Sequence, residues 1–124
     1  MKNQEEEIKN IVKKLKKYNF VKAIIQFGSS IAKNEKPLSD IDIAVITNSE
    51  DKKIDSEIFS HASEKIDIAI FNRLPLYIQF EVFKHGKILF ANDKKFLLQI
   101  KQIVLKQYLE MSYFYEKMSG RILA

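Results

Sequence analysis

The stretch that decides the reading is SDIDIAV, residues 39–45, which continues as Ile46-Thr47. It is apolar and β-branched except for Asp40 and Asp42, so residues 40–47 are predicted to form a strand. Side chains of a strand alternate between its faces, so both carboxylates project from one side. Ile41, Ile43 and Val45 then fill the other. Two like charges side by side on a half-buried strand repel, and burying them costs several kcal/mol per ion unless something compensates. A hard divalent cation held through carboxylate oxygens is the natural compensation. Taken alone, the pair also reads as two acids on a solvent face.

Working outward, Lys65-Ile66-Asp67-Ile68-Ala69-Ile70 repeats the pattern, with one Asp in an otherwise apolar strand over 65–71. Placed beside the first acidic strand, it lets Asp67 join Asp40 and Asp42. Three carboxylates are what a two-metal site needs for phosphoryl or nucleotidyl transfer. Upstream, residues 21–27 (VKAIIQF) are predicted to be a strand that stops at Gly28-Ser29. Glycine permits close backbone approach, and a Ser hydroxyl with exposed N–H groups suits a nucleotide phosphate. Ten residues separate Ser29 from Asp40.

The rest of the chain reads as cover for these strands. Ile8, Ile11, Val12 and Leu15 fall at helical spacing within 4–18. A short helix is expected near 54–62. Pro75 and Gly86 bracket a helix over 75–85. KILF, 87–90, reads as a strand. Asn92 or Asp93 offers an N-cap for a long helix over 93–118, with Gly120 as its stop. Phe96, Ile100, Ile103, Val104, Tyr108, Met111, Tyr115 and Met118 form its apolar stripe. The expected fold is α/β (α+β): a single small domain, 1–124, with a mixed β-sheet flanked by helices.

Composition narrows the classes. The chain has 124 residues, 46% hydrophobic and 30% charged, which is globular rather than disordered. It has no Cys, excluding disulfide scaffolds, zinc ribbons and thiol nucleophiles. No apolar run approaches the roughly 20 residues of a membrane span, and the charged N-terminus has no signal-peptide core. A cytoplasmic protein is therefore expected. The net charge of +5 is uneven: +4 over residues 1–22, −2 over 23–92 and +3 over 93–124. Basic ends attract acidic partners, or are simply solvated helix faces.

The combination Phe27-Gly28-Ser29, Ser39-Asp40-Ile41-Asp42-Ile43-Ala44-Val45 and Ile66-Asp67-Ile68-Ala69-Ile70 resembles the minimal nucleotidyltransferase (MNT) family of the DNA polymerase β-like superfamily. Leu74–Phe90 resembles that family's helix–Gly–strand segment, and the likeness spans roughly residues 8–118. It implies a polymerase β-like palm fold, with Gly28 and Ser29 holding the triphosphate of ATP. It further implies Asp40 and Asp42 as ligands of Mg²⁺, two ions in all, and Asp67 as the third catalytic carboxylate and metal ligand. Many members carry a basic residue and then Gly after Gly-Ser; here Lys33 and Asn34 stand in that region, with Lys33 as the phosphate contact. Many stand-alone members are similar to antitoxins paired with HEPN-domain toxins, and some of these antitoxins transfer AMP from ATP to a toxin tyrosine. The implied function is thus Mg²⁺-dependent protein adenylylation of a HEPN toxin. The helix over 93–118 is a candidate partner surface. A homodimer or a hetero-oligomer is left open.

Three rival readings remain at this level: an antitoxin that acts by occlusion, a transferase with a small-molecule acceptor, and a nucleic-acid binder using the basic ends. His61 and His85 are isolated and read as structural. Tyr108, Tyr113 and Tyr115 read as packing or helix surface before interface anchors. Arg73 follows the third strand and defaults to the surface, as do Glu35 and Lys36.

Overall fold

Both central strands are buried on both sides along most of their length, and the chain covers both faces with helices. The computed structural model describes residues 4–28 and 41–123. The elements run α1 (Gln4–Leu15), β1 (Val21–Phe27), β2 (Ile41–Thr47), α2 (Lys52–Phe59), β3 (Ile66–Ile70), a 3₁₀ turn (Phe71–Arg73), α3 (Leu76–His85), β4 (Lys87–Ala91) and α4 (Lys94–Leu123). The sheet order is β3-β2-β1-β4. β1 pairs antiparallel with both β2 and β4, while β2 and β3 are parallel, so the sheet is mixed as expected.

On one face, Ile24, Ile41, Ile43, Val45, Ile66, Ile68 and Ile70 pack with Ile11 and Leu15 of α1 and Ile58 of α2. On the other, Ala23, Ile25, Ala44 and Ile46 pack with Phe71, Val82 of α3, and Leu97 and Val104 of α4. Each fully buried Ile or Val contributes roughly 1.5–3 kcal/mol, so this double cover is the main support of the sheet. A register shift between Val21 and Ala23 lets Val21 face the first core and Ala23 the second.

Caps explain several boundaries. Asp51 accepts from Lys53 N at 2.9 Å, starting α2 two residues before the expected position. Asp93, not Asn92, caps α4, accepting from Phe96 N at 3.1 Å. α1 ends at Leu15 rather than 18, because Tyr18 leaves the helix to stack on Phe20, ring centroids 4.9 Å apart. Gly86 does stop α3, but with φ −76. Its value is space: a Cβ there would meet Val82 O and lie 2.6 Å from Ile25 Cγ2.

α4 corrects two expectations. Gly120 does not end it; the helix continues to Leu123, since one glycine costs a helix only about 1 kcal/mol. Its apolar stripe is also only partly covered. Val104 is buried, but Ile103, Tyr115 and Met118 are exposed, and Leu97, outside the expected stripe, is buried instead. At 30 residues α4 is about 45 Å long against about 15 Å for the 10-residue α3 it packs on, so it outruns its cover. Among the described residues, no helix is long and apolar enough to cross a membrane.

Candidate active site

The carboxylates meet where β1 ends and β2 begins. In the antiparallel β1–β2 ladder Phe27 lies opposite Asp42, and in the parallel β2–β3 ladder Asp42 lies opposite Asp67. Residues opposite each other share a face, with backbones about 4.8 Å apart. The isoleucines at 41, 43, 66 and 68 occupy the α1–α2 core. Asp42 and Asp67 therefore project on the α3–α4 side, past the end of its packed core. Asp42 is half-buried and Asp67 exposed.

Gly28 closes the third side. Its φ is +88, a conformation that an L side chain adopts only under strain. A Cβ at Gly28 would run into Asp42 Oδ2 and lie 3.1 Å from Asp42 Cγ. The glycine is thus required twice, by the turn of the chain and by the carboxylate seated against it. Of the sequence-predicted site residues, the structure brings together Gly28, Asp42 and Asp67. Ser29, Lys33 and Asp40 lie outside the described residues, as do Asn34, Glu35 and Lys36. Among the described residues, no group of three or more His, Cys, Asp or Glu side chains is gathered; two of the three expected carboxylates are, and the third falls outside that set.

The donor chemistry fits a hard divalent cation. Oxygen-only carboxylate ligands on neighbouring rigid strands are what Mg²⁺ takes, and the bare Gly28 backbone leaves room for the Asp42 carboxylate against it. Like charges at Asp42 and Asp67 also gain from a shared cation.

The remaining candidates lie elsewhere. Arg73 sits at the opposite end of β2: its Nε donates to Asp55 Oδ2 at 3.1 Å and its guanidinium to Glu50 O at 2.8 Å. It ties α2 to the turn after β3. Asp55 is buried, and its Oδ1 has no hydrogen-bond partner among the described residues. His61 Nε2 lies 2.8 Å from the Tyr18 hydroxyl, which donates to Glu57 Oε1 at 3.1 Å. Burial first, and then Glu57, push the Tyr18 hydroxyl pKa above its ordinary 10.0. His85 pairs with Glu81 one turn earlier, at 3.4 Å. Tyr108 stacks on Phe80 of α3, whereas Tyr113 and Tyr115 are exposed.

Sequence reasoning missed Asn72. Its side chain accepts from Thr47 N at 3.1 Å and donates to Thr47 O at 3.0 Å. It thereby imitates one more strand residue and extends the β2–β3 pairing that sets Asp42 opposite Asp67. An Asn two residues beyond the Asp67 strand was the available signal.

Known proteins share this fold. The family model described as "Polymerase beta, Nucleotidyltransferase" matches residues 9–95. A Methanocaldococcus jannaschii protein named "Putative protein adenylyltransferase" is 41% identical over 71 residues. That alignment covers 56% of this chain and 56% of the relative, so the chain spans about half the length of the curated relative it matches. A chain from the complex of tri-AMPylated Shewanella oneidensis HEPN toxin with MNT antitoxin superposes with a TM-score of 0.69 at 18% identity, covering 98% of this chain and 100% of that one. A chain from a toxin–antitoxin structure with AMP-PNP gives 0.67 at 17%, again over 98% and 100%. At such identities the likeness is one of fold.

Proposed function

The chain belongs to the polymerase beta nucleotidyltransferase family, and on that premise we propose that it transfers AMP from ATP to a hydroxyl, a tyrosine, of a HEPN-type toxin for which it is the antitoxin. The observation that carries the reading is the in-register Asp42–Asp67 pair seated against Gly28. The relative named for protein adenylylation and the fold shared with the MNT–HEPN complex support the choice of acceptor.

Asp42 and Asp67, with Asp40, would hold Mg²⁺. When bound, Mg²⁺ would polarise the α-phosphate and offset the charge of the leaving pyrophosphate. The chain's own residues do the positioning. Gly28, having no side chain, admits the triphosphate close to the backbone, and Ser29 and Lys33 contact it. The acceptor hydroxyl oxygen bonds the α-phosphorus while the bond to the bridging oxygen breaks. Pyrophosphate departs with that electron pair, and the hydroxyl proton passes to Asp67. Exposure of Asp67 lets a hydroxyl presented by another protein reach it. Placement and charge compensation supply most of the acceleration, as in phosphoryl transfer generally.

The test is α-labelled ATP with the purified chain, Mg²⁺ and the neighbour-encoded toxin. Label on the toxin, lost with Asp42→Asn and with a chelator, is expected. No transfer under conditions where ATP and metal bind would refute the reading. If Asp42→Asn still neutralises the toxin, the occlusion reading takes its place.

A further inference from the structure

Besides the stripe that the fold partly covers, α4 carries a second apolar row. Leu97, Ile100 and Val104 turn toward the sheet and α3. At 100° per residue, Leu98, Leu105, Leu109 and Tyr113 fall on a second line, roughly a quarter-turn or more away. These four are 54%, 44%, 58% and 59% exposed. Scattered exposed apolar residues are ordinary; Leu105, Leu109 and Tyr113 on successive turns, with Leu98 two turns before them, form a row that marks a contact surface.

Charge says what kind of surface it is. Lys101 lies along one edge of the row and Lys106 and Lys117 along the other, while Glu116 falls on the row at its C-terminal end, so basic groups outnumber acidic ones three to one. Between α3 and α4 a groove of about 350 Å³ runs beside Leu105, and Lys84 and Lys101 line it with Phe80 and Phe83. Lys84 lies 5.7 Å from the Phe80 ring centroid, and Lys117 lies 4.8 Å from that of Tyr113. Both ammonium groups therefore lie over aromatic faces and bring positive charge to the edges of the apolar surface. Such a layout suits apolar anchors flanked by carboxylates. It disfavours a second copy of the same row, which would set lysine rims against each other.

We propose that the outer face of α4, with the α3–α4 groove, is where the partner protein docks, through an amphipathic helix whose Leu, Ile, Phe or Met anchors are flanked by Asp and Glu. This rests on the partner reading above and adds the surface and the chemistry of its complement. The row is separate from Asp42 and Asp67, so binding and transfer can be disabled one at a time.

The experiment is calorimetric titration of the HEPN-type toxin into four forms: wild type, Leu105→Glu/Leu109→Glu, Lys84→Glu/Lys101→Glu, and Asp42→Asn. Both double variants alter exposed side chains, and their melting curves should match the wild type. We expect Leu105→Glu/Leu109→Glu to weaken binding about 100-fold, as loss of central anchors does. Lys84→Glu/Lys101→Glu should weaken it about tenfold and flatten its salt dependence. Asp42→Asn should bind as the wild type does. Full-strength binding by both double variants would overturn the docking face while leaving the transferase reading intact. Lost transfer by Asp42→Asn tests that reading separately. No binding by the wild type would overturn both. A wild-type dimer that Leu109→Glu splits would assign the row to a second copy and also overturn the proposal.

Discussion

Replacing Gly28 by Ala separates the two demands made on that position. The backbone demand is its φ of +88, where an L residue costs about 1–2 kcal/mol. For a chain of this size that lowers Tm by roughly 3–8 °C. The steric demand is larger in effect. The new Cβ occupies space held by Asp42 Oδ2, with Cγ 3.1 Å and Cβ 3.3 Å away. Strand pairing to Phe27 and Asp67 holds the Asp42 backbone, so the carboxylate must rotate or shift by about 1 Å. A displacement of that order costs about 10²-fold in rate. The assay is AMP transfer at saturating toxin alongside a thermal melt. kcat/KM should fall about 100-fold while the protein stays folded at 25 °C. In the Asp42→Asn background the added alanine should cost little further activity, because the carboxylate it displaces is already disabled. Wild-type turnover in Gly28→Ala, or full additivity in the double variant, would refute the argument.

Gly86→Ala should destabilise by about 1–3 kcal/mol through overpacking against Ile25 and Val82; its φ is ordinary, so urea midpoints should fall with little change in transfer. Asn72→Ala should cost about 1–3 kcal/mol, because the Thr47 N–H and C=O lose their partners; amide exchange at Thr47 should quicken most. Tyr18 has a hydroxyl pKa raised on folding, chiefly by burial and then by Glu57. Its neutral form is the favoured one, so the stabilisation is complete below about pH 10 and disappears as pH rises through the folded value. Chemical denaturation from pH 8 to 11 should show this alkaline decline, and Tyr18→Phe should remove that component.

Much of this was legible because the strands carry their own register. The period-two alternation around Asp42 and Asp67 fixed which residues face the core, and the strand boundaries that lie within the described residues fell within a residue of expectation. Glycine was legible as punctuation but not as mechanism. Gly28 is a left-handed turn against a carboxylate, Gly86 a close helix–strand contact, and Gly120 an interior helical residue. Side-chain ties between distant segments left little periodic trace, so Asn72 on Thr47, Arg73 on Asp55 and His61 on Tyr18 emerged only in three dimensions. The stripe on α4 was readable, but where its cover stops depends on the length of α3.

The β2–β3 alternation yokes burial of the core to reactivity of the aspartate pair. Deleting one residue upstream of Asp42 within β2 would send an aspartate inward and an isoleucine out, wrecking both at a stroke. Insertions are therefore survivable only beyond the ladder, and any drift in this protein's chemistry must come by exchange of side chains rather than by sliding the thread that bears them.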